Sequence, residues 1–132
     1  MSVVPRDFLE SAKLIDIDGP EIGRRNAVSR AYYAAMHEAA GILPQQLADP
    51  AFRGSSHENL ISGLRAFSRQ VVPGRTDGAI IAGELAAMKG TRKIADYRLG
   101  DSAPKTTVQL CLIRAEKIFA ACARIQTLRA KS

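Results

Sequence analysis

The chain has 132 residues, of which 46% are hydrophobic, and this length suffices to bury the core of one domain. Only 5% are aromatic, whereas alanine, the best helix former, occurs 21 times, which favours packed helices over sheet. No apolar run approaches the roughly 18 residues of a membrane span and the N-terminus lacks the features of a secretory signal, so we expect a cytoplasmic protein. The net charge of +6 suits a nucleic-acid partner and equally a plain basic surface.

Apolar residues at helical spacing predict a single domain of five helices with no strand. Their limits follow from prolines, glycines and capping residues along the chain. The predicted helices run from Pro5 to about Ile15, from near Pro20 to about Leu43, from a Ser55 cap to Val71, from Thr76 or Asp77 to the Leu99–Asp101 break, and from about Pro104 to Ala130.

Several packing features follow from this assignment. The buried side of the first helix is predicted to carry Phe8, Leu9, Ala12 and Ile15. Gly90 in the fourth helix is expected to mark a kink or a close approach between helices. Cys111 and Cys122 share the fifth helix about 16 Å apart along its axis, too far for a disulfide, so both should be small core residues in a reducing compartment.

The second helix carries the polar residues with the clearest chemistry. At about 100° per residue, one stripe of this helix holds positions i, i+4, i+7 and i+11, which are Asn26, Arg30, Tyr33 and His37. Arg30 offers a planar fork for phosphate or carboxylate, His37 can act as an acid or a base, and Tyr33 can stack on a base. The alternative is structural, with the polar tips bonded to neighbours and Arg30 paired with a carboxylate.

The fourth helix supplies a partner for this stripe. Arg92 and Asp96 are four residues apart and continue an apolar row, so they should point toward the bundle rather than toward water. Asp96 is expected to hold Arg30 or Arg92, because a charge near a core is normally paired. Tyr97 lies beside them. An internal ion pair that fixes the register of the helix is the competing interpretation.

Three segments in this order resemble small stand-alone proteins of the HEPN (higher eukaryotes and prokaryotes nucleotide-binding) superfamily. They are RAYYAAMHEAA at residues 30–40, SHENL at 56–60 and RKIADY at 92–97, and the AEKIF of residues 115–119 follows on a final long helix. The resemblance covers roughly residues 20–125. It implies an up-and-down bundle of four or five helices, a symmetric homodimer, and a minimal nucleotidyltransferase partner in a toxin–antitoxin pair.

The resemblance also brings a catalytic motif into view. Many HEPN domains are metal-independent ribonucleases whose site is an Arg, four to six intervening residues and a His, located late in the chain. No histidine follows His57 here, whereas Arg30 and His37 satisfy the spacing on an early helix.

Three functions are therefore considered. The first is a HEPN-like module that binds a nucleotide, RNA or a nucleotidyltransferase through Asn26 and Tyr33 of the stripe, together with Arg92, Asp96 and Tyr97. The second is a metal-independent endoribonuclease toxin with His37 and Arg30 as catalytic residues, and the third is a non-catalytic dimerisation scaffold. The histidines and cysteines lack zinc-site spacing and no phosphate-binding glycine loop occurs, so no metal or cofactor is predicted.

Overall fold

The computed structural model describes residues 2–42, 56–70, 72–98, 100 and 103–131, and these residues form helices and turns but no strand. The five helices are α1 (Pro5–Lys13), α2 (Glu21–Ile42), α3 (Ser56–Ser68), α4 (Arg75–Tyr97) and α5 (Lys105–Ala130). They pack into one bundle, which confirms the predicted all-α fold class. None of these helices is both long enough and apolar enough to cross a membrane.

Residue pairs across the helix interfaces give the relative directions of the helices, because numbers that rise on one helix fall on an antiparallel neighbour. By this criterion α4 runs antiparallel to α2, α3 and α5, and α1 runs antiparallel to α2. The pairs are Ser29–Asp96 and Tyr33–Arg92 for α2 with α4, Glu58–Lys89 and Phe67–Gly78 for α3, Asp77–Arg124 and Glu84–Arg114 for α5, and Phe8–His37 and Ser11–Arg30 for α1 with α2.

The core is centred on α2, which contacts each of the other four helices. Its buried face is built largely from alanines, and small side chains let neighbouring helices approach closely. Tyr32 is the largest fully buried side chain of the chain's described part. α5 buries a broad apolar face whose residues recur at helical spacing: Val108, Cys111, Ala115, Ile118, Phe119, Cys122 and Ile125.

Four helices begin and end within about two residues of the predicted limits, but α3 ends at Ser68, three residues before the predicted Val71. α1 ends at Lys13, and Ile15 beyond it packs partly buried on the core. α4 begins at Arg75 rather than at Thr76 or Asp77, because Gly74 adopts a φ of +88° that turns the chain immediately before the helix. The Ser55 cap, Val71, Leu99 and Asp101 lie outside the described residues.

One packing prediction is wrong, and one of the two alternatives given for Gly90 is excluded. Phe8 was expected to be buried, but it is 39% exposed because its ring lies against a surface residue of α2, whereas Leu9 and Ala12 are buried. Gly90 is not a close approach, since a Cβ there would meet no atom within 4 Å. The close approach is at Gly78, where a Cβ would lie 2.5 Å from Cδ1 of Phe67.

A buried arginine holds the C-terminal end of α4 against α2. Arg25 is only 6% exposed, and its guanidinium donates hydrogen bonds to the carbonyl oxygens of Ile94, Ala95 and Arg98 at 2.9–3.3 Å. The last carbonyls of a helix have no partner within the helix, so these bonds satisfy them. The last turns of α4, which carry the predicted site residues, are thereby fixed against α2.

Candidate functional site

Arg92 of α4 lies at the centre of a group of aromatic and acidic side chains. Its Nη2 donates a 2.6 Å hydrogen bond to the Oη of Tyr33, and its guanidinium lies 5.2 Å from the Tyr33 ring centroid. It also lies 5.3 Å from the ring centroid of Tyr97 and 6.0 Å from that of Tyr32. Its Nε lies 2.7 Å from Oδ2 of Asp96. We call these five residues the Arg92 cluster.

The ion pair resolves one of the alternatives left by the sequence, because Asp96 contacts Arg92. The buried Nε of Arg92 makes no hydrogen bond within the described residues, so its contact with Asp96 is electrostatic. The two side chains are 15% and 25% exposed, which confirms that this pair points toward the bundle. Ser29 of α2 donates a long 3.5 Å hydrogen bond to the same carboxylate oxygen.

The positive charge of the cluster is that of the Arg92 guanidinium. Desolvation alone lowers the pKa of Arg92, but attraction to Tyr33, Asp96 and Tyr97 outweighs it, so the pKa is raised above its ordinary value. Burial raises the pKa of Tyr32 to about 12, which keeps that phenol neutral. The cluster therefore presents the Arg92 cation among aromatic rings, a cation–π arrangement.

His37 extends the cluster along α2 toward α1. Its exposed ring stacks on that of Tyr33, with centroids 6.4 Å apart and planes at 29°. The ring of Phe8 lies on His37 with the same centroid separation and an angle of 28°. Phe8 and Ser29 are site neighbours that were not predicted. Ser29 lies one helical turn before Tyr33, so helical spacing could have identified it.

The side chain of Arg30 contacts α1, whereas that of Tyr33 contacts α4. The exposed Arg30 side chain donates a 2.9 Å hydrogen bond from Nη1 to Oγ of Ser11 on α1. Asn26, one turn earlier on α2, is exposed as well. The structure thus brings Tyr33 and His37 together with the pair on α4, while Arg30 is held by α1.

The other side chains that could react or bind a metal are buried in the core or lie outside the described residues. Burial raises the pKa of Cys111 to about 11 and that of Cys122 to about 12, so neither free thiol is a ready nucleophile. The side chain of His57 is outside the described residues. Within the described part of the chain, no three His, Cys, Asp or Glu residues form a group that could hold a metal ion.

The exposed members of this surface define what it can do chemically. Tyr97 is 68% exposed and His37 is exposed on the neighbouring helix, so two rings are open to a planar ligand beside a fixed cation. Protein-family models, curated proteins and solved structures give no match to this chain. The side chains that meet where α2 packs on α4 are thus the basis for inferring a function.

Proposed function

We propose that this chain is a HEPN-like module that binds a nucleotide, free or within RNA, at the surface where α2 meets α4. The observation that carries the proposal is the enclosure of Arg92 by tyrosine rings from two helices, with Tyr97 and His37 exposed at its outer edge. An exposed ring can stack a base, a contact worth about 1–3 kcal/mol per base. Lys93 and Arg30 are exposed cations on the same two helices and are suited to a phosphate.

The HEPN resemblance adds two associations to this proposal. One is a homodimer, and the other is a complex with a minimal nucleotidyltransferase in a toxin–antitoxin pair. Light scattering on the purified chain tests the dimer, and co-purification with the product of a neighbouring nucleotidyltransferase gene tests the complex. If the chain is a monomer and does not co-purify with such a partner, both associations are contradicted. Nucleotide binding is then tested separately.

Nucleotide binding is tested by titrating the protein with adenosine monophosphate and with a short single-stranded RNA while following amide NMR shifts. We expect shifts in α2 and α4, and a loss of affinity in Tyr97→Ala of about 5- to 100-fold, which corresponds to one lost stacking contact. Ile113→Ala is the matched control, since Ile113 is a similarly exposed apolar residue on α5. Equal affinity of the two variants would contradict the proposal.

A metal-independent ribonuclease is the second candidate. The observation in its favour is that Arg30 and His37 are both exposed and both held by α1, through Ser11 and Phe8. In such a reaction His37 would take the proton of the RNA 2′-hydroxyl as that oxygen attacks the adjacent phosphorus and the 5′-oxygen leaves, while Arg30 would stabilise the added negative charge.

Cleavage of a labelled RNA in the presence of a metal chelator tests this candidate. The wild-type chain should cut the RNA, and His37→Ala should lose the activity while retaining its helical content. Absence of cleavage by the wild type rules the enzyme out. If changing Arg30, Tyr33 and His37 together alters stability but neither binding nor cleavage, a dimerisation scaffold is the remaining function.

A further inference from the structure

Positive charge is unevenly distributed along the chain. Residues 59–76 and residues 117–132 are two of the long segments of this chain that contain no Asp or Glu. The cations of the first are Arg65, Arg69 and Arg75, and those of the second are Lys117, Arg124, Arg129 and Lys131. Seven of the 19 lysines and arginines therefore lie in these two segments, which contain no carboxylate side chain of their own.

The tertiary structure places the last residues of the first segment beside the second segment. Gly74, in the turn between α3 and α4, packs against α5 so closely that a Cβ would lie 3.0 Å from Cγ1 of Ile125. Beside this contact Asp77 accepts a 2.8 Å hydrogen bond from Nε of Arg124. The α3–α4 turn and the last turns of α5 thus form one end of the bundle. We call the cations there the basic end: Arg65, Arg69, Arg75, Arg124, Arg129 and Lys131.

Little negative charge balances the three arginines that α3 and the α3–α4 turn contribute to the basic end. Arg65, Arg69 and Arg75 are exposed, and no carboxylate of the described residues forms an ion pair with them. The carboxylate of Asp77 is engaged by Arg124, and α2 contributes Glu38, which acts electrostatically on Cys122 about one turn before Ile125. Several cations elsewhere in the described part of the chain lie beside a carboxylate: Lys13 with Glu116, Lys89 with Glu58, Arg92 with Asp96, Lys105 with Asp18 and Arg114 with Glu84.

We propose that the basic end binds the phosphodiester backbone of a nucleic acid without regard to sequence. Five of its six cations are arginines, whose planar fork matches phosphate oxygens, and a strand of phosphates can engage several separated cations at once. The site is distinct from the Arg92 cluster, since Arg75 and Arg92 lie about 25 Å apart along α4. The proposal goes beyond nucleotide binding at the cluster and does not depend on it.

The test is fluorescence anisotropy of a labelled single-stranded RNA of about 20 nucleotides, measured over about 50–200 mM salt. Each phosphate contact contributes about 0.7 to the slope of log affinity against log salt concentration. A variant combining Arg65→Gln, Arg69→Gln and Arg75→Gln should therefore lower the slope by about 2. Circular dichroism melts check that the variant remains folded.

The matched control combines Lys13→Gln, Lys105→Gln and Lys117→Gln, which removes the same charge from cations that each lie beside a carboxylate. Its slope should change by well under about 1, because these cations are already neutralised by a protein group. Equal slopes for the two triple variants, or no salt-dependent binding by the wild type, would overturn the proposal.

Two further arms identify the ligand class and separate this proposal from the previous one. The wild-type protein should bind polyglutamate and anionic phospholipid vesicles more weakly than RNA. If either bound as tightly as RNA and lost this binding in the same arginine variant, the assignment to nucleic acid would be overturned. Tyr97→Ala should leave the salt slope unchanged, because a phenol releases no counterions. If the proposed nucleotide site at the Arg92 cluster were wrong, the wild-type protein would not bind adenosine monophosphate. The triple arginine variant should bind adenosine monophosphate as tightly as the wild type.

Discussion

At the residue scale, Arg92 illustrates how a charge is kept at the edge of a core. One oxygen of Asp96 and the hydroxyl of Tyr33 compensate it, and three tyrosine rings cover its guanidinium. A cation so enclosed is stable only while its polar partners are present, because removing one leaves a donor without an acceptor in a poorly solvated place.

Tyr33→Phe tests the strength of this enclosure, since it removes the hydroxyl that accepts the 2.6 Å bond from Arg92 but keeps the ring. We expect the free energy of unfolding to fall by about 1–2 kcal/mol, as for a hydrogen bond to a charged group. Urea denaturation measures the change. Tyr97→Phe is the control, with an effect within about 0.5 kcal/mol because Tyr97 is 68% exposed. Equal losses in both would show that the Tyr33 hydroxyl is not a specific partner of Arg92.

The two thiols give a second prediction at this scale. Because burial raises the pKa of Cys111 to about 11 and that of Cys122 to about 12, almost no thiolate exists at about pH 8 in the folded protein. Alkylation by iodoacetamide should therefore be negligible in buffer and complete in denaturant, as measured by mass spectrometry. Labelling of the folded chain at the rate of a free thiol would contradict this.

At the element scale, α4 contains glycines in opposite situations. Gly78 lies against the buried ring of Phe67, so the absence of a side chain there lets α3 approach α4. Gly83 and Gly90 face open space, and nothing in their surroundings requires glycine. The same residue type is thus a packing requirement at one position and only a source of backbone freedom at the others.

A pair of alanine substitutions should separate these two roles by their sign. Gly78→Ala forces the Phe67 ring to move, since the new Cβ would lie 2.5 Å from its Cδ1, and we expect a loss of about 1–3 kcal/mol in unfolding free energy. Gly90→Ala meets no atom within 4 Å and should add about 0.5–1 kcal/mol through helix propensity. Thermal denaturation of both variants measures this, and a Gly78→Ala protein as stable as the wild type would mean that α3 packs differently.

At the scale of the whole molecule, the first and last helices are joined by one carboxylate. Glu116 of α5 accepts hydrogen bonds from Arg6 and Lys13, which lie near the two ends of α1. Burial alone would raise the pKa of Glu116, but the bonds from Lys13 and Arg6 outweigh it and hold the pKa below its ordinary value. These hydrogen bonds help to hold α1 beside the stripe on α2. α1 carries Phe8 and Ser11, which contact that stripe.

The sign of that pKa change sets a pH dependence. A carboxylate whose pKa is lower in the folded state stabilises the fold above its unfolded pKa of 4.5, and this contribution disappears as the pH falls through the lower folded value. Glu116→Gln should therefore be less stable than the wild type by about 0.5–1 kcal/mol at neutral pH and equally stable in acid. Urea melts across this range measure the gap, and a gap that persists in strong acid would indicate lost packing rather than lost charge.

The periodicity of apolar residues by itself determined the helices and the buried face of α5, because side chains spaced at 3.6 residues must fall on one side of a helix. It likewise determined that Arg92 and Asp96 point inward, since they continue the apolar row of α4. The resemblance to HEPN proteins, the nucleotide ligand and the partners stay predictions. The sequence identified residues for a candidate site, but it could not predict which contacts those residues make.

Only the tertiary structure decided which helices adjoin which face of the stripe on α2. Tyr33 meets Arg92 while Arg30, three residues earlier, meets Ser11, because α4 and α1 lie on different sides of that stripe. It also decided that Phe8 lies on His37 rather than in the core, and that the α3–α4 turn joins the end of α5. These contacts join residues far apart in the chain, and local periodicity fixes the direction of a side chain but not the neighbour that it meets.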